Sequence, residues 1–103
     1  MNLREKYYEL QQFLAIYFPS YFMHSVSDEV IVLAYTDDCD SNILHQTIME
    51  LELVILDIGV WWQEIREESN RYLKTEEEAL EWLLSLKELL QKAYDNKVMP
   101  LQN

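Results

Sequence analysis

The sequence predicts an all-α fold, a single small helical bundle of about four to five helices. Apolar residues recur at helical spacing along most of the chain. Two segments also open on a capping sequence, Asn2 with Glu5 and Thr75 with Glu78, in which side chains satisfy free backbone amides at a helix start. Half of the 103 residues are hydrophobic, which is enough for one packed core in a chain too short for two domains. We therefore expect a single domain over residues 1–103.

The first predicted helix begins at the Asn2 cap and covers residues 3–18. Its apolar positions at helical spacing are Leu3, Tyr7, Leu10, Phe13 or Leu14, and Tyr17. Pro19 disfavours helical geometry in the residue before it, so we expect the helix to end at Phe18. Residues 19–25 are predicted as a turn.

The second predicted helix starts at Ser27, whose hydroxyl is suited to capping. Asp28 and Glu29 follow, where carboxylates interact favourably with the positive end of the helix dipole. Residues 30–36 are ambiguous, because their β-branched content favours a buried strand while their apolar positions also fit one face of a helix. We predict a helix for this segment.

The third predicted helix is capped by Asp40 or Ser41 and carries a wide apolar stripe up to Ile58. Gln46, Glu50 and Asp57 are placed on its opposite face. The chain's single glycine, Gly59, is predicted to end this helix, because glycine tolerates the left-handed conformation common just past a helix end.

Two further helices are predicted after Gly59. A shorter one covers residues 60–69, with Trp61 and Ile65 one turn apart. The last begins at the Thr75 cap and continues to about Tyr94. We expect residues 95–103 to fray.

The charges are distributed unevenly along the chain. The net charge is −11, and residues 7–65 form 59 consecutive positions without Lys or Arg. The ten acidic residues of this basic-free block are Glu9, Asp28, Glu29, Asp37, Asp38, Asp40, Glu50, Glu52, Asp57 and Glu64. Acidic composition alone serves solubility, but a solubilising surface usually mixes both signs. The block favours a basic partner and argues against direct binding of nucleic acid.

The sequence carries no signal for export or membrane insertion. Charged residues occupy the N-terminal positions where a secretory segment would begin, and no apolar run approaches the roughly 20 residues that span a bilayer. Cys39 is the only cysteine, so an intramolecular disulfide is impossible. We expect a cytoplasmic protein.

No pattern of residues indicates a metal site, a cofactor or catalysis. Residues 38–42 match the start of a calcium-binding loop, but its sixth and twelfth positions require Gly and Glu and are Ile43 and Met49 here. His24 and His45 have no partner at ligand spacing. Nothing supplies a nucleophile with its base and anion stabiliser. We expect neither an enzyme nor a bound cofactor.

Trp61 and Trp62 are adjacent, so on a helix they point about 100° apart. One is expected in the core and the other at least partly exposed. Exposed Trp often anchors a protein interface, so Trp61 or Trp62 is a candidate anchor.

The first helix carries a string that resembles a known family. Residues 6–18 contain Tyr7, Tyr8, Glu9 and Leu10, then Gln12, Phe13 and Leu14, then Tyr17 and Phe18. This order resembles the opening of the contact-dependent growth inhibition immunity proteins, with their Tyr-Pro-Glu-Leu, Gln-Phe-Leu and Tyr-Phe pattern. Tyr8 stands where the family usually has Pro, and residues 19–22 replace a common His-Gln-Asp-Trp turn. Weaker similarity covers residues 27–30 with 34–35, and residues 81–83.

The resemblance implies a small helical protein that binds and neutralises the C-terminal domain of a cognate toxin. Many such toxins are nucleases, whose basic clefts would attract an acidic inhibitor. Each member pairs with its own toxin, so no binding residue is carried over from the family. From the charge pattern and the tryptophans, we predict these partner contacts: Asp37, Asp38, Asp40, Glu50, Asp57, Trp61, Trp62 and Glu64. The alternatives are an acidic helical adaptor or dimerisation module, and a nucleic-acid mimic.

Overall fold

The computed structural model describes residues 1–22 and 26–99, apart from the side chains of residues 20–22. These ranges contain six helices and no strand, which confirms the all-α prediction. The helices are α1 (Leu3–Lys6), α2 (Tyr8–Phe22), α3 (Asp28–Asp38), α4 (Ser41–Leu56), α5 (Ile58–Ser69) and α6 (Glu76–Val98). There are six instead of four to five because the first predicted helix is divided in two.

The helices are arranged around α2 and α6, each of which packs against α3, α4 and α5. All six helices contribute to one hydrophobic core. Its fully buried large side chains are Leu3, Leu10, Phe13, Leu14, Val32, Leu44, Leu51, Val54, Ile65, Leu83, Leu86 and Leu90. Tyr35 of α3 reaches across this interior, and its hydroxyl lies 2.6 Å from Thr47 Oγ1 on α4.

The chain breaks between α1 and α2 at Tyr7, where a continuous helix was predicted. Asn2 caps α1 with the expected box, since its side chain accepts from the Glu5 amide while Glu5 accepts from the Asn2 amide. Tyr7 then leaves helical geometry at φ −132° and ψ 66°. Its buried ring packs edge-on against Trp61 at 5.5 Å. This contact is tertiary, so the apolar period of the sequence gives no sign of the break.

The prediction that the first helical segment ends before Pro19 is wrong, because α2 continues through Pro19 to Phe22. Proline supplies no amide hydrogen to the preceding turn, which normally disfavours an interior position. Phe18 offsets this cost because it is buried between two rings, at 5.2 Å from Phe13 and 5.1 Å from Trp82. Of the predicted turn, residues 19–22 are therefore helical, and residues 23–25 lie outside the described ranges.

The ambiguous segment 30–36 is helical, as predicted, within α3. Ser27 caps α3 by accepting from the Val30 amide. Asp28, in the first turn, also joins distant parts of the chain. Its carboxylate accepts from Arg71 at 2.8 Å and from Trp82 Nε1 at 2.8 Å, while the Arg71 guanidinium stacks over the Trp82 ring.

The prediction that Gly59 ends the third helix is wrong. The helix α4 stops at Leu56, Asp57 is the junction residue, and Gly59 lies within the first turn of α5 without a positive φ. The predicted helix over residues 60–69 is confirmed, with its start at Ile58. The residue that does adopt the left-handed conformation is Asn70, at φ 54°, which ends α5.

The final helix begins at Thr75, as predicted, and extends beyond Tyr94. The Thr75 side chain accepts from the Glu78 amide. The Glu78 carboxylate, however, accepts from the Lys74 amide and not from the Thr75 amide, as a complete capping box would require. The expectation that residues 95–103 fray is wrong for residues 95–98, which belong to α6. Lys97 holds this last turn by donating to the Thr36 carbonyl at 2.6 Å. Residues 100–103 lie outside the described ranges.

None of the helices in the described ranges combines the length and the apolarity needed to cross a lipid bilayer.

Candidate partner-binding surfaces

The junction between α3 and α4 carries three of the predicted contact residues. Asp37 is exposed and has no hydrogen-bond or ion-pair partner among the described residues. Asp38 accepts from the Tyr17 hydroxyl at 2.6 Å. Asp40, and not Ser41, caps α4 by accepting from the Ile43 amide at 2.9 Å. Two of the three carboxylates are therefore already engaged within the fold.

Glu50 is buried, so the prediction that it lies on the exposed face of its helix is wrong. Its side chain is only 7% exposed. One carboxylate oxygen accepts from the Leu10 amide at 2.9 Å, and the other accepts from Gln46 Nε2 at 3.0 Å. Leu10 is in the first turn of α2, so Glu50 satisfies an amide that has no partner within its own helix. This carboxylate stabilises the fold and is not placed to contact a partner.

The second group of predicted residues lies at the start of α5. Glu64 is half-buried and accepts from the Leu3 amide at 2.7 Å. It therefore satisfies a first-turn amide of α1, as Glu50 satisfies one of α2. Asp57 is exposed at the α4–α5 junction, and its side chain caps neither helix. Among the described residues, Asp57 has no ion-pair partner.

The two tryptophans divide as expected between core and surface. Trp61 is 4% exposed and packs against Tyr7, and its Nε1 has no hydrogen-bond partner among the described residues. Trp62 is half-buried at the edge of the core, with the Arg66 guanidinium 5.3 Å from its ring centre. Trp62 is thus the one of the pair that a partner can reach.

The predicted contact residues do not form one site. The junction acids Asp37, Asp38 and Asp40 precede α4, whereas Asp57 follows it. The 16 residues of α4 place these groups roughly 24 Å apart. Glu50 lies between them but faces inward. A partner contacting both groups would have to cover the whole outer face of α4.

The outer face of α4 exposes several large apolar side chains in its last two turns. The same helix also exposes polar residues, namely Asn42, His45, Gln46 and Glu52. Met49, Leu53 and Leu56 succeed one another at helical spacing and are 45%, 49% and 83% exposed. Val60, near the start of α5, is 65% exposed. The sequence contains this signal, since these residues lie off the apolar stripe that forms the core. Helices normally place polar residues on such a face.

The outer face of α6 carries a row of acids that lies outside the basic-free block. Its exposed members are Glu77, Glu81, Glu88 and Asp95. The row extends over roughly 27 Å of helix. The two ion pairs among the described residues, Arg71 with Asp28 and Lys87 with Glu52, leave this row without a cationic partner. The spacings of four and seven residues were readable from the sequence as one helical face.

Among the described residues, Cys39 and His45 belong to no assembled chemical site. Cys39 is partly buried beside the core, and burial raises the pKa of its thiol, with the positive charge of Lys97 acting in the opposite direction. The exposed His45 ring lies 5.4 Å from the Tyr94 ring. His24 lies outside the described ranges. Within those ranges, no group of three or more His, Cys, Asp or Glu residues is positioned to hold a metal ion.

No protein-family model, curated protein or solved structure matches this chain.

Proposed function

We propose that this protein is an immunity protein that binds the cognate toxin domain of a contact-dependent growth inhibition system and neutralises it by stoichiometric binding, without catalysis. The observation that carries the proposal is the acidic row on α6, which has no cationic partner among the described residues. Its four carboxylates face solvent together on one side of the longest helix. Such a surface attracts and orients a basic protein.

The acidic row supports a toxin with a basic surface as the partner. A nuclease needs positive charge around its substrate cleft, because the phosphate backbone dominates the affinity for nucleic acid. An inhibitor of opposite charge associates faster than a neutral one, which favours capture of a lethal enzyme before it acts. The proposed site of this capture is the cytoplasm.

The family resemblance supports the proposal through the fold. Within the resembling string, Tyr7, Leu10, Phe13, Leu14 and Phe18 are all buried. The shared pattern is therefore a core-forming pattern. We expect partner contacts at exposed positions, so that a common helical scaffold is compatible with a different toxin for each member.

Co-expression with the toxin domain encoded next to this gene tests the proposal. We expect growth to be rescued and a one-to-one complex to be purified. The double variant Glu81→Gln/Glu88→Gln should lower the association rate at low salt by several-fold. Glu29→Gln/Glu67→Gln is a matched control, because it removes the same charge from exposed acids away from the row. Absence of both rescue and complex over a fair range of expression levels would refute the immunity function.

A helical dimerisation module is the second candidate, and the group of exposed apolar side chains on the outer face of α4 is the observation that favours it. Exposed apolar patches commonly mark protein interfaces. Sedimentation of the purified protein distinguishes the two candidates. A concentration-dependent dimer without toxin binding would favour the module, whereas a monomer that forms a heterodimer with the toxin domain would favour the immunity protein.

A further inference from the structure

The outer faces of α4 and α6 lie side by side. Glu52 and Lys87 form an ion pair at 3.2 Å, and His45 lies against Tyr94 about two turns away. Both pairs join α4 to α6, and their numbers change in opposite directions, so the two helices are antiparallel. This register places Leu84 of α6 level with Leu56 of α4. Leu84 is 45% exposed, so it adds to the exposed apolar side chains of α4 across the seam.

We group these exposed apolar side chains as one surface, named here the α4–α6 patch. Its members are Met49, Leu53, Leu56, Val60 and Leu84. The patch is formed by large side chains on the outer faces of packed helices, so its shape is fixed by the core beneath it. Leu56 is 83% exposed and therefore contributes little to that core.

Carboxylates border the patch on both helices. Glu52 is three residues after Met49 and four before Leu56, and these spacings make neighbours on a helix surface. Glu81 and Glu88 bear the same relation to Leu84. The Lys87 amine, also near the seam, is already paired with Glu52. The patch thus combines an apolar centre with a border whose net charge is negative, because Glu81 and Glu88 have no cationic partner among the described residues.

We propose that the α4–α6 patch is the docking surface for a protein partner that presents apolar side chains within a basic surface. This inference rests on the proposed function and assigns the surface through which it acts. Affinity comes mainly from apolar anchors that become buried at the centre of an interface, while complementary charge at the border sets the association rate. The patch therefore replaces the α3–α4 junction as the centre of the interface.

Charge complementarity favours a basic partner over a second copy of the chain. A twofold dimer through this patch would bring each acidic border against an identical one. Each chain carries a net charge of −11, so association would also oppose the repulsion between whole molecules. A basic surface instead gains favourable contacts with Glu81 and Glu88, which have no cationic partner among the described residues.

Another exposed apolar pair provides a matched control. Val30 and Leu33, on α3, are 50% and 53% exposed, close to the values of the α4 side chains. Their surroundings carry both signs of charge, because Glu29 and Lys92 line the groove beside Leu33 and Asp37 is four residues after Leu33. A partner with a basic surface would meet a positive charge there. This pair therefore provides similar exposure and hydrophobicity at a different place in the fold.

The test compares Leu53→Gln/Leu56→Gln with Val30→Gln/Leu33→Gln, changes that leave the net charge unaltered. Affinity is measured for two probes, the adjacent toxin domain and a 14-residue amphipathic helix made of Leu and Lys. Circular dichroism and urea unfolding verify that both variants fold. We expect the α4 variant to weaken binding of each probe by about 30-fold or more and the α3 variant by less than about threefold.

The two probes separate failure of the docking surface from failure of the immunity function. If the toxin domain binds wild type and both variants equally, the assignment of the patch is overturned while the function stands. If wild type does not bind the toxin domain, the function fails, and the Leu–Lys helix decides about the surface alone. Equal effects of the two variants on that helix would overturn the patch. So would a wild-type dimer that Leu53→Gln/Leu56→Gln converts to a monomer.

Discussion

The carboxylate of Glu50 on α4 accepts a hydrogen bond from the backbone amide of Leu10 on α2, at 2.9 Å in the protein interior. Forty positions separate these residues along the chain. The contact satisfies an amide that the break at Tyr7 leaves in the first turn of α2. It also explains how an acidic residue occupies the buried side of α4.

Replacing Glu50 should reduce stability more than replacing any exposed acid of the same helix. Glu50→Ala leaves the Leu10 amide buried without an acceptor, at an expected cost of about 2 to 3 kcal/mol. Glu50→Gln keeps an acceptor and should cost about 1 kcal/mol. Urea unfolding measures both values. The control Glu52→Gln removes only a half-exposed ion pair and should cost at most about 0.5 kcal/mol. Equal costs at positions 50 and 52 would contradict the capping role.

The stability of the fold should fall at alkaline pH through Tyr35. Burial raises the pKa of the Tyr35 phenol above its ordinary value, against a smaller lowering by the Thr47 hydrogen bond; negative charge on Cys39, Glu9 and Tyr17 adds to the increase. The folded state thus favours the neutral phenol. This stabilisation is complete below the unfolded-state pKa of about 10 and is lost as pH rises from there towards the folded-state pKa.

Urea unfolding between pH 9 and 11 tests this dependence. Above pH 10, this residue should contribute a decrease approaching about 1.4 kcal/mol per pH unit. Tyr35→Phe should remove that contribution, while costing about 1 kcal/mol at neutral pH through loss of the Thr47 contact. Tyr72→Phe, at an exposed ring, is the control. If Tyr35→Phe and wild type lose stability in parallel, another group is responsible.

Gly59→Ala should stabilise the protein by about 0.5 kcal/mol, because alanine restricts the unfolded chain and favours helical geometry. The added Cβ would lie 3.4 Å from Glu76 Oε1, at the movable end of a side chain. Thermal unfolding gives the sign of the effect. A clear loss of stability would mean that Gly59 has the left-handed conformation expected from the sequence, and not the helical one found in α5.

Two acids of the α3–α4 junction, Asp40 and Asp37, should differ in their contribution to stability. Asp40→Ala removes the cap of α4 and should cost about 1 kcal/mol, whereas Asp37→Ala should leave the unfolding free energy unchanged within error. Urea unfolding of the two variants makes this comparison.

Toxin-binding kinetics then locate the junction relative to the interface. With the α4–α6 patch at its centre, Asp37→Lys should slow association at low salt by at most about threefold and leave dissociation unchanged. A large increase in the dissociation rate would instead place the α3–α4 junction within the contact.

Local sequence signals predicted the element types and several caps correctly. Ser27 and Thr75 each cap the helix that follows, and segment 30–36 is helical despite its β-branched residues. These features depend on contacts within a few positions of the chain. The predictions at Tyr7 and Pro19 failed because distant side chains override local preference there: Trp61 packs on Tyr7, and Trp82 packs on Phe18 beside Pro19.

The same contrast between local and tertiary features applies to the candidate surface. A sequence read for charge counts all acids of the basic-free block alike, yet Asp28, Asp38, Asp40, Glu50 and Glu64 are engaged inside the fold. The acids of α6 and the apolar residues of α4 gain significance only when their helices are seen to pack side by side.

By itself, the sequence determined an acidic, all-helical chain with enough apolar residues for a core, because composition and helical periodicity act locally. Only the tertiary structure decided which carboxylates cap helices and which remain on the surface. A buried backbone amide can donate to a carboxylate from any part of the chain, as the Leu10 amide donates to Glu50. The tertiary structure also placed Leu84 level with Leu56, since the register of two antiparallel helices depends on contacts between residues far apart in sequence.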